Sequence, residues 1–139
     1  MLNQPGPAPR KNLRWHLVNP ANTEQVQQVF KSVRPEAVIH TAALANIDYC
    51  ETHQQPAREV NVGITQTLAD LCVASGAKLV FCSSDTVFDG EHAPYRETDL
   101  PQPLNFYAVT KAEAEQIVLQ LGANGVIARL SLVVGLPIL

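Results

Sequence analysis

The sequence predicts an α/β fold built on a doubly wound parallel sheet, and three observations predict it. Short apolar runs alternate along the chain with longer segments whose apolar positions recur every three or four residues. Gly and Pro punctuate the boundaries between them. Ala37–His40 is also short and apolar, as a strand buried on both faces is. Alternation of this kind makes parallel β-α-β units, with helices expected on both faces of the sheet.

The elements follow from local chemistry. Residues 1–12 are rich in Pro, Asn and Gly and predict a disordered segment. Leu13–Val18 reads as a short strand, and Trp15 is expected to pack. Thr23 is a candidate N-cap for a helix striped by Val26, Val29, Phe30 and Val33, which Pro35 stops. Ala37–His40 fits a strand buried on both faces, with His40 as a packing or hydrogen-bonding residue. Asp48–Glu51 reads as a solvated helix start. A longer helix is expected over Ala57–Ser75, with Pro56 near its first turn, a stripe of Val60, Ile64, Leu68, Leu71 and Cys72, and Gly76 at its end. Lys78–Ser83 is the next strand. A loop broken by Asp89-Gly90, Pro94, Pro101 and Pro103 follows, with Asp89-Gly90 as a turn. A helix is expected from about Asn105 to Leu121, then a turn at Gly122–Gly125 and a last strand over Val126–Val134.

Composition narrows the class. The 139 residues suffice for one domain and not for two full ones. Apolar residues at 46% and charged ones at 17% can build a core, and a net charge of −3 offers no basic surface to nucleic acid or anionic lipid. No apolar run approaches the roughly 18 residues that cross a bilayer, and the N-terminus has no apolar core of a secretory signal. Cys50, Cys72 and Cys82 are an odd set without C-x-x-C spacing, which fits free thiols in the cytoplasm. His16, His40, His53 and His92 lack metal-ligand spacing, so no metal site is expected.

The chemistry concentrates in Tyr107 and Lys111, four residues apart and so on one helix face. An ammonium beside a phenol favours the phenolate and lowers its pKa from about 10. Such a tyrosine can exchange a proton while hydride passes between a nicotinamide and a carbonyl or alcohol. Taken alone, Tyr-x-x-x-Lys equally describes a solvated helix face. Three strand ends face the same crevice in a parallel sheet: Thr41-Ala42-Ala43-Leu44, Ser83-Ser84-Asp85 and Leu132–Gly135. Ser83 and Ser84 can bind a substrate oxygen, or simply satisfy backbone groups where the strand ends. A Gly-x-Gly-x-x-Gly turn is absent, and Gly122-Ala-Asn-Gly125 precedes a strand, not a helix. Without backbone amides for a pyrophosphate, weak or no dinucleotide binding is expected, and both ends read as cut.

The segments VIHTAALANIDYCE, EVNVG and FCSSDTVFDGEHAPYRETDLPQPLNFYAVTK form a long, ordered block. From about Pro35 to Gly135 the chain resembles the extended short-chain dehydrogenase/reductases, in particular the dTDP-4-dehydrorhamnose reductase (RmlD-like) group. The resemblance implies a partial Rossmann-like NAD(P)-binding domain over residues 13–139, without the group's glycine loop or its substrate lobe. It implies Tyr107 as proton donor, Lys111 on the nicotinamide ribose and Ser84 in the place of the catalytic Ser or Thr. By the same resemblance Ala42, Ala43, Leu44 and Ser83 line the cofactor, Ser84 and Asp85 meet the substrate, and Asn61 supports the site. NADPH or NADH is the implied cofactor, and a 4-keto nucleotide sugar the implied substrate. Thr86 stands where the group has an aromatic residue, and Leu132 replaces another. The same group includes the regulatory beta subunit of methionine adenosyltransferase, a non-catalytic binder with a similar block. That resemblance implies a partner of synthetase type as the alternative, beside a homodimer. In the group's strand order, Ala37–His40 is expected at an exposed sheet edge.

Overall fold

The computed structural model describes residues 12–132. A three-stranded parallel sheet, its strands side by side in chain order, forms its centre. The elements run α1 (Thr23–Val33), β1 (Ala37–His40), α2 (Ile47–Thr52), α3 (Gln54–Arg58), a π-helical turn (Glu59–Gly63), α4 (Ile64–Ser75), β2 (Lys78–Ser84), α5 (Phe106–Leu119) and β3 (Gly125–Leu130). The parallel α/β architecture is the expected one, and β1 has the predicted bounds.

Local chemistry explains the boundaries and their shifts. The α1 cap is Asn22, whose side chain accepts from the Gln25 N–H, so Thr23, the expected cap, is instead the first helical residue. Asn46 caps α2 and Asn105 caps α5 in the same way. Gly76 ends α4 in the left-handed conformation at φ 73°, a geometry that penalises any Cβ. The expected helix over Ala57–Ser75 is longer and less regular. Helical backbone begins at Gln54 with Pro56 inside its first turn, where a missing N–H costs nothing, and one π turn separates α3 from α4. β2 gains Ser84, and Gly122–Asn124 forms a 3₁₀ turn.

Two expectations fail. Leu13–Val18 is irregular, with Leu17 and Trp15 exposed. Its apolar pattern finds no strand to pair with, and a lone strand leaves its backbone groups in water. The last strand ends at Leu130, and Ser131 and Leu132 of the expected Val126–Val134 strand are irregular; the rest of that expectation, the Gly135 end and residues 1–11 lie outside the described residues.

The core lies under α4 and α5. Ala69 and Cys72 of α4, Leu79 and Phe81 of β2, and Ala114 and Val118 of α5 interlock, with Phe30 of α1 against their margin. Full burial of a Leu or Phe contributes about 1.5–3 kcal/mol each. Register puts His40, Phe81 and Ile127 in one row on this covered face, and Ile39, Val80 and Val126 in a row on the opposite one. There Ile39 is 70% exposed and Val126 47%. Helices were expected on both faces; among the described residues they cover one. The strands advance in a single direction across the sheet, and successive crossovers of one hand then keep to one side. β1 is an edge strand, as expected.

Candidate functional site

The site lies at the carboxyl ends of β1 and β2, under the first turns of α5. Alternation along β2 buries Leu79, Phe81 and Ser83 on the helix-covered face. Lys111, one turn into α5, descends onto that face. Its Nζ donates to the Cys82 carbonyl at 2.7 Å and sits 4.1 Å from the centre of the Phe81 ring. The side chain is buried, and desolvation pulls its pKa down to about 8 against the nearby Cys82 and Glu115, which favour the charge.

Tyr107 is half-buried at the mouth of the same crevice. Its pKa is raised, first by burial and then by Cys50 and Asp85 close by. The expected lowering by Lys111 is therefore not found in this arrangement. The ammonium is drawn to the Cys82 carbonyl and the Phe81 ring, and desolvation of the phenolate prevails.

Ser84 caps the short turn Asp85–Val87. Its Oγ accepts from the Thr86 backbone N–H and from Thr86 Oγ1, and donates to Asp85 Oδ1 over a long 3.3 Å. That proton is only loosely engaged and can pass to a substrate oxygen. Ser83 is buried, and its hydroxyl has no hydrogen-bond partner among the described residues. A buried hydroxyl left unpaired costs about 1–3 kcal/mol.

The loop after β1 supplies the second wall. Ala42 is exposed, and Ala43 and Leu44 are partly buried. Asn61, in the π turn, holds this loop: its Oδ1 accepts from the Leu44 N–H at 2.7 Å and its Nδ2 donates to the Leu44 carbonyl at 3.1 Å. Nδ2 also donates to Thr110 Oγ1 of α5 at 2.9 Å. Below the loop, His40 is buried with its Nε2 3.1 Å from Thr65 Oγ1 and its ring near Phe81. Burial first, and the Lys111 charge second, hold its pKa at about 4, so the imidazole is neutral.

The structure thus brings Lys111 to the carboxyl end of β2 beside Ser83 and Ser84, with Asp85 near Tyr107 and Leu44 tied to α5 through Asn61. Leu132 is 86% exposed at the end of the described chain. Residues that sequence reasoning missed are Thr110, the Cys82 carbonyl, and the Glu115–Arg129 pair. Glu115 continues the stripe of Tyr107 and Lys111 by four more residues, which was the available signal. It is fully buried and grips Arg129 of β3 through two hydrogen bonds of 2.8 and 3.0 Å. Arg129 also lies over the Phe88 ring. Among the described residues, one cavity borders the site at Asp85 and another lies apart from it. One of about 640 Å³ is lined by Phe88, Tyr95, Val118 and Arg129, and one of about 780 Å³ by Phe30, Arg34, Leu71 and Ala77. The second sits at the amino ends of β1 and β2, the wrong end for ligand binding in a parallel sheet. No cluster of metal-ligating side chains exists among the described residues, and no described helix is long and apolar enough to cross a membrane.

Comparison with known proteins gives one consistent family. Residues 9–136 match the RmlD substrate binding domain. The chain is 36% identical over 126 residues to methionine adenosyltransferase 2 subunit beta of Bos taurus, covering 91% of this chain and 38% of that protein. It is 34% identical over 111 residues to dTDP-4-dehydrorhamnose reductase of Aggregatibacter actinomycetemcomitans, covering 79% and 38%. Among solved structures, dTDP-4-dehydrorhamnose reductase of Bacillus anthracis in complex with NADP superposes with a TM-score of 0.78 at 36% identity, over 83% of this chain and 41% of that one. The chain spans about two-fifths of the length of the relatives it matches.

Proposed function

The chain belongs to the RmlD substrate binding domain family, and from that premise we propose that it carries the proton-transfer side of an NAD(P)H-dependent reductase acting on the 4-keto group of a nucleotide sugar. The observation that carries the reading is the convergence of Tyr107, Lys111 and Ser84 at the carboxyl end of β2. The solved relative with NADP supports a nicotinamide dinucleotide as the ligand. When bound, the dinucleotide supplies the hydride.

The chain's own groups then have distinct tasks. Tyr107, protonated well above neutral pH, donates its phenolic proton to an oxygen that gains charge. Ser84 can turn its loosely held proton from Asp85 to the same oxygen. Lys111 uses one N–H on the Cys82 carbonyl and has two donors to offer to ribose hydroxyls. Ala42, Ala43 and Leu44 form the wall against which the dinucleotide lies, and Asn61 fixes that wall. The domain so proposed is the part of a Rossmann-like unit from residue 13 onward.

The test is calorimetric titration with NADPH and NADH up to millimolar concentration, followed by turnover on dTDP-4-keto sugars. Tyr107→Phe should lower turnover at least 10²-fold and leave dinucleotide affinity within about threefold, since it removes a proton and no packing surface. Turnover indifferent to that substitution overturns the reading.

A second reading is a non-catalytic subunit of the same fold. The 36% identity to an adenosyltransferase beta subunit over 91% of the chain favours it. It expects no turnover on any sugar nucleotide and a stable complex with an adenosyltransferase catalytic chain.

A further inference from the structure

Thr110 is fully buried, one residue before Lys111 and three after Tyr107. Its hydroxyl has two partners of opposite kind. Oγ1 donates to the Tyr107 carbonyl at 2.7 Å and accepts from Asn61 Nδ2 at 2.9 Å. The directions are forced. The Leu44 N–H needs an acceptor, so Asn61 presents Oδ1 to it and turns Nδ2 toward the Leu44 carbonyl and Thr110. Thr110 must then accept from Asn61, and its one proton goes to Tyr107. Both donors of the carboxamide and the single donor of the hydroxyl are used in an unbroken line from the Leu44 backbone to the Tyr107 backbone.

The line joins elements that lie far apart in the sequence. Leu44 lies in the loop after β1, Asn61 in the π turn and Thr110 in α5, 49 residues beyond Asn61. A π turn inside a helical run is uncommon and tends to occur where a side chain must be re-aimed. Here it carries Asn61 into the gap between loop and helix. A threonine bonding back to the i−3 carbonyl also restrains the turn it sits on, and that turn carries Tyr107.

We propose that Thr110 is a positioning residue that, through Asn61, holds the Tyr107 turn of α5 in register with the Thr41–Leu44 loop. Its geometry stands on the structure alone; its use, setting the phenol against whatever lies along that loop, rests on the reductase reading. Valine matches threonine in shape and lacks the hydroxyl, so Thr110→Val strands a buried Asn61 donor and frees the Tyr107 carbonyl. Thr110→Ser keeps the hydroxyl.

Amide hydrogen exchange on the full chain tests the geometry. In Thr110→Val the Leu44 amide should exchange about tenfold faster, the effect of one buried hydrogen bond left unmade, while Leu79 and Phe81 in β2 stay within twofold. Thr110→Ser should return Leu44 to within about threefold of the unsubstituted chain. Acceleration that is absent, or shared equally by Leu79 and Phe81, overturns the proposal, as does failure of the serine to restore protection. Should the valine variant not fold, the unsubstituted chain decides. Both Asn61 carboxamide protons should be protected from exchange, and one fast proton there overturns the proposal. Turnover is read in parallel, where Thr110→Val should lower kcat about tenfold with KM within threefold. A chain that binds no dinucleotide and turns over no substrate removes the reductase reading, and the Leu44 and Asn61 exchange rates still decide the role of Thr110.

Discussion

Lys111 and His40 show how burial and charge compete inside this crevice. Both lose hydration, which disfavours their cationic forms. Lys111 recovers part of that loss from the Cys82 carbonyl, the Phe81 ring and the Glu115 charge. His40 has no such compensation and faces the lysine's charge as well. Its folded pKa of about 4 lies below the usual 6.5, so the unfolded chain binds a proton that the folded one refuses between those values. Stability is therefore intact above pH 6.5 and falls as the pH drops toward 4, by on the order of 2 kcal/mol for this one group. His40→Gln, which can keep a hydrogen bond to Thr65, should flatten that decline in urea titrations at pH 4 to 7. An unchanged pH slope would show that other groups cause it. Tyr107, Lys111 and Ser84 were legible as residues because their spacing carries chemistry. The elevated Tyr107 pKa was not, because it depends on where the ammonium lies in space and how much water the phenol keeps.

Among the elements, α5 does most to order the site. Asn105 starts it, Tyr107, Lys111 and Glu115 give it one polar stripe, and Glu115 ties it to β3 through Arg129. Its close return into β3 depends on Gly125. A Cβ there would run into the Val118 carbonyl oxygen and lie 3.2 Å from both the Leu121 and Val118 side chains. Gly76, by contrast, has open space around it, and only its φ of 73° resists a side chain. Gly125→Ala should cost about 1–3 kcal/mol or more by overpacking, and Gly76→Ala about 1 kcal/mol from left-handed strain. Denaturant midpoints that rank the two in the reverse order would contradict this account of the turn. The glycine at 76 was readable as a helix end from the stripe before it. The demand at 125 was not, because the obstructing oxygen belongs to a helix whose approach only folding creates.

For the molecule as a whole, the decisive fact is a sheet dressed on one face. α1, α4 and α5 bury Leu79 and Phe81, while Ile39, Val80 and Val126 line the other side among the described residues. Among the described residues β1 adds an edge with unpaired backbone groups, and Ile39 stands on that edge 70% exposed. An open edge beside apolar surface favours pairing with another copy. The chain alone should self-associate as its concentration rises, and Ile39→Lys should suppress this, since charge on an edge strand blocks strand addition at little cost to the core. Sedimentation at several concentrations checks it; equal association of both chains would place the contact elsewhere.

Periodicity, caps and breakers act through neighbours in the chain, and so the parallel α/β class, the bounds of β1 and the end of α4 were readable from residue order. The motif from Ser83 to Lys111 was readable for the same reason, since its spacing is local to one strand end and one helix. The fate of Leu13–Val18, the bare face of the sheet, and the line from Leu44 through Asn61 and Thr110 to Tyr107 were not. Each depends on partners dozens of residues away: a strand that pairs or does not, a helix that falls on one side, a carboxamide turned by a π turn. Local propensity proposes such elements, and burial and hydrogen-bond satisfaction in three dimensions select among them.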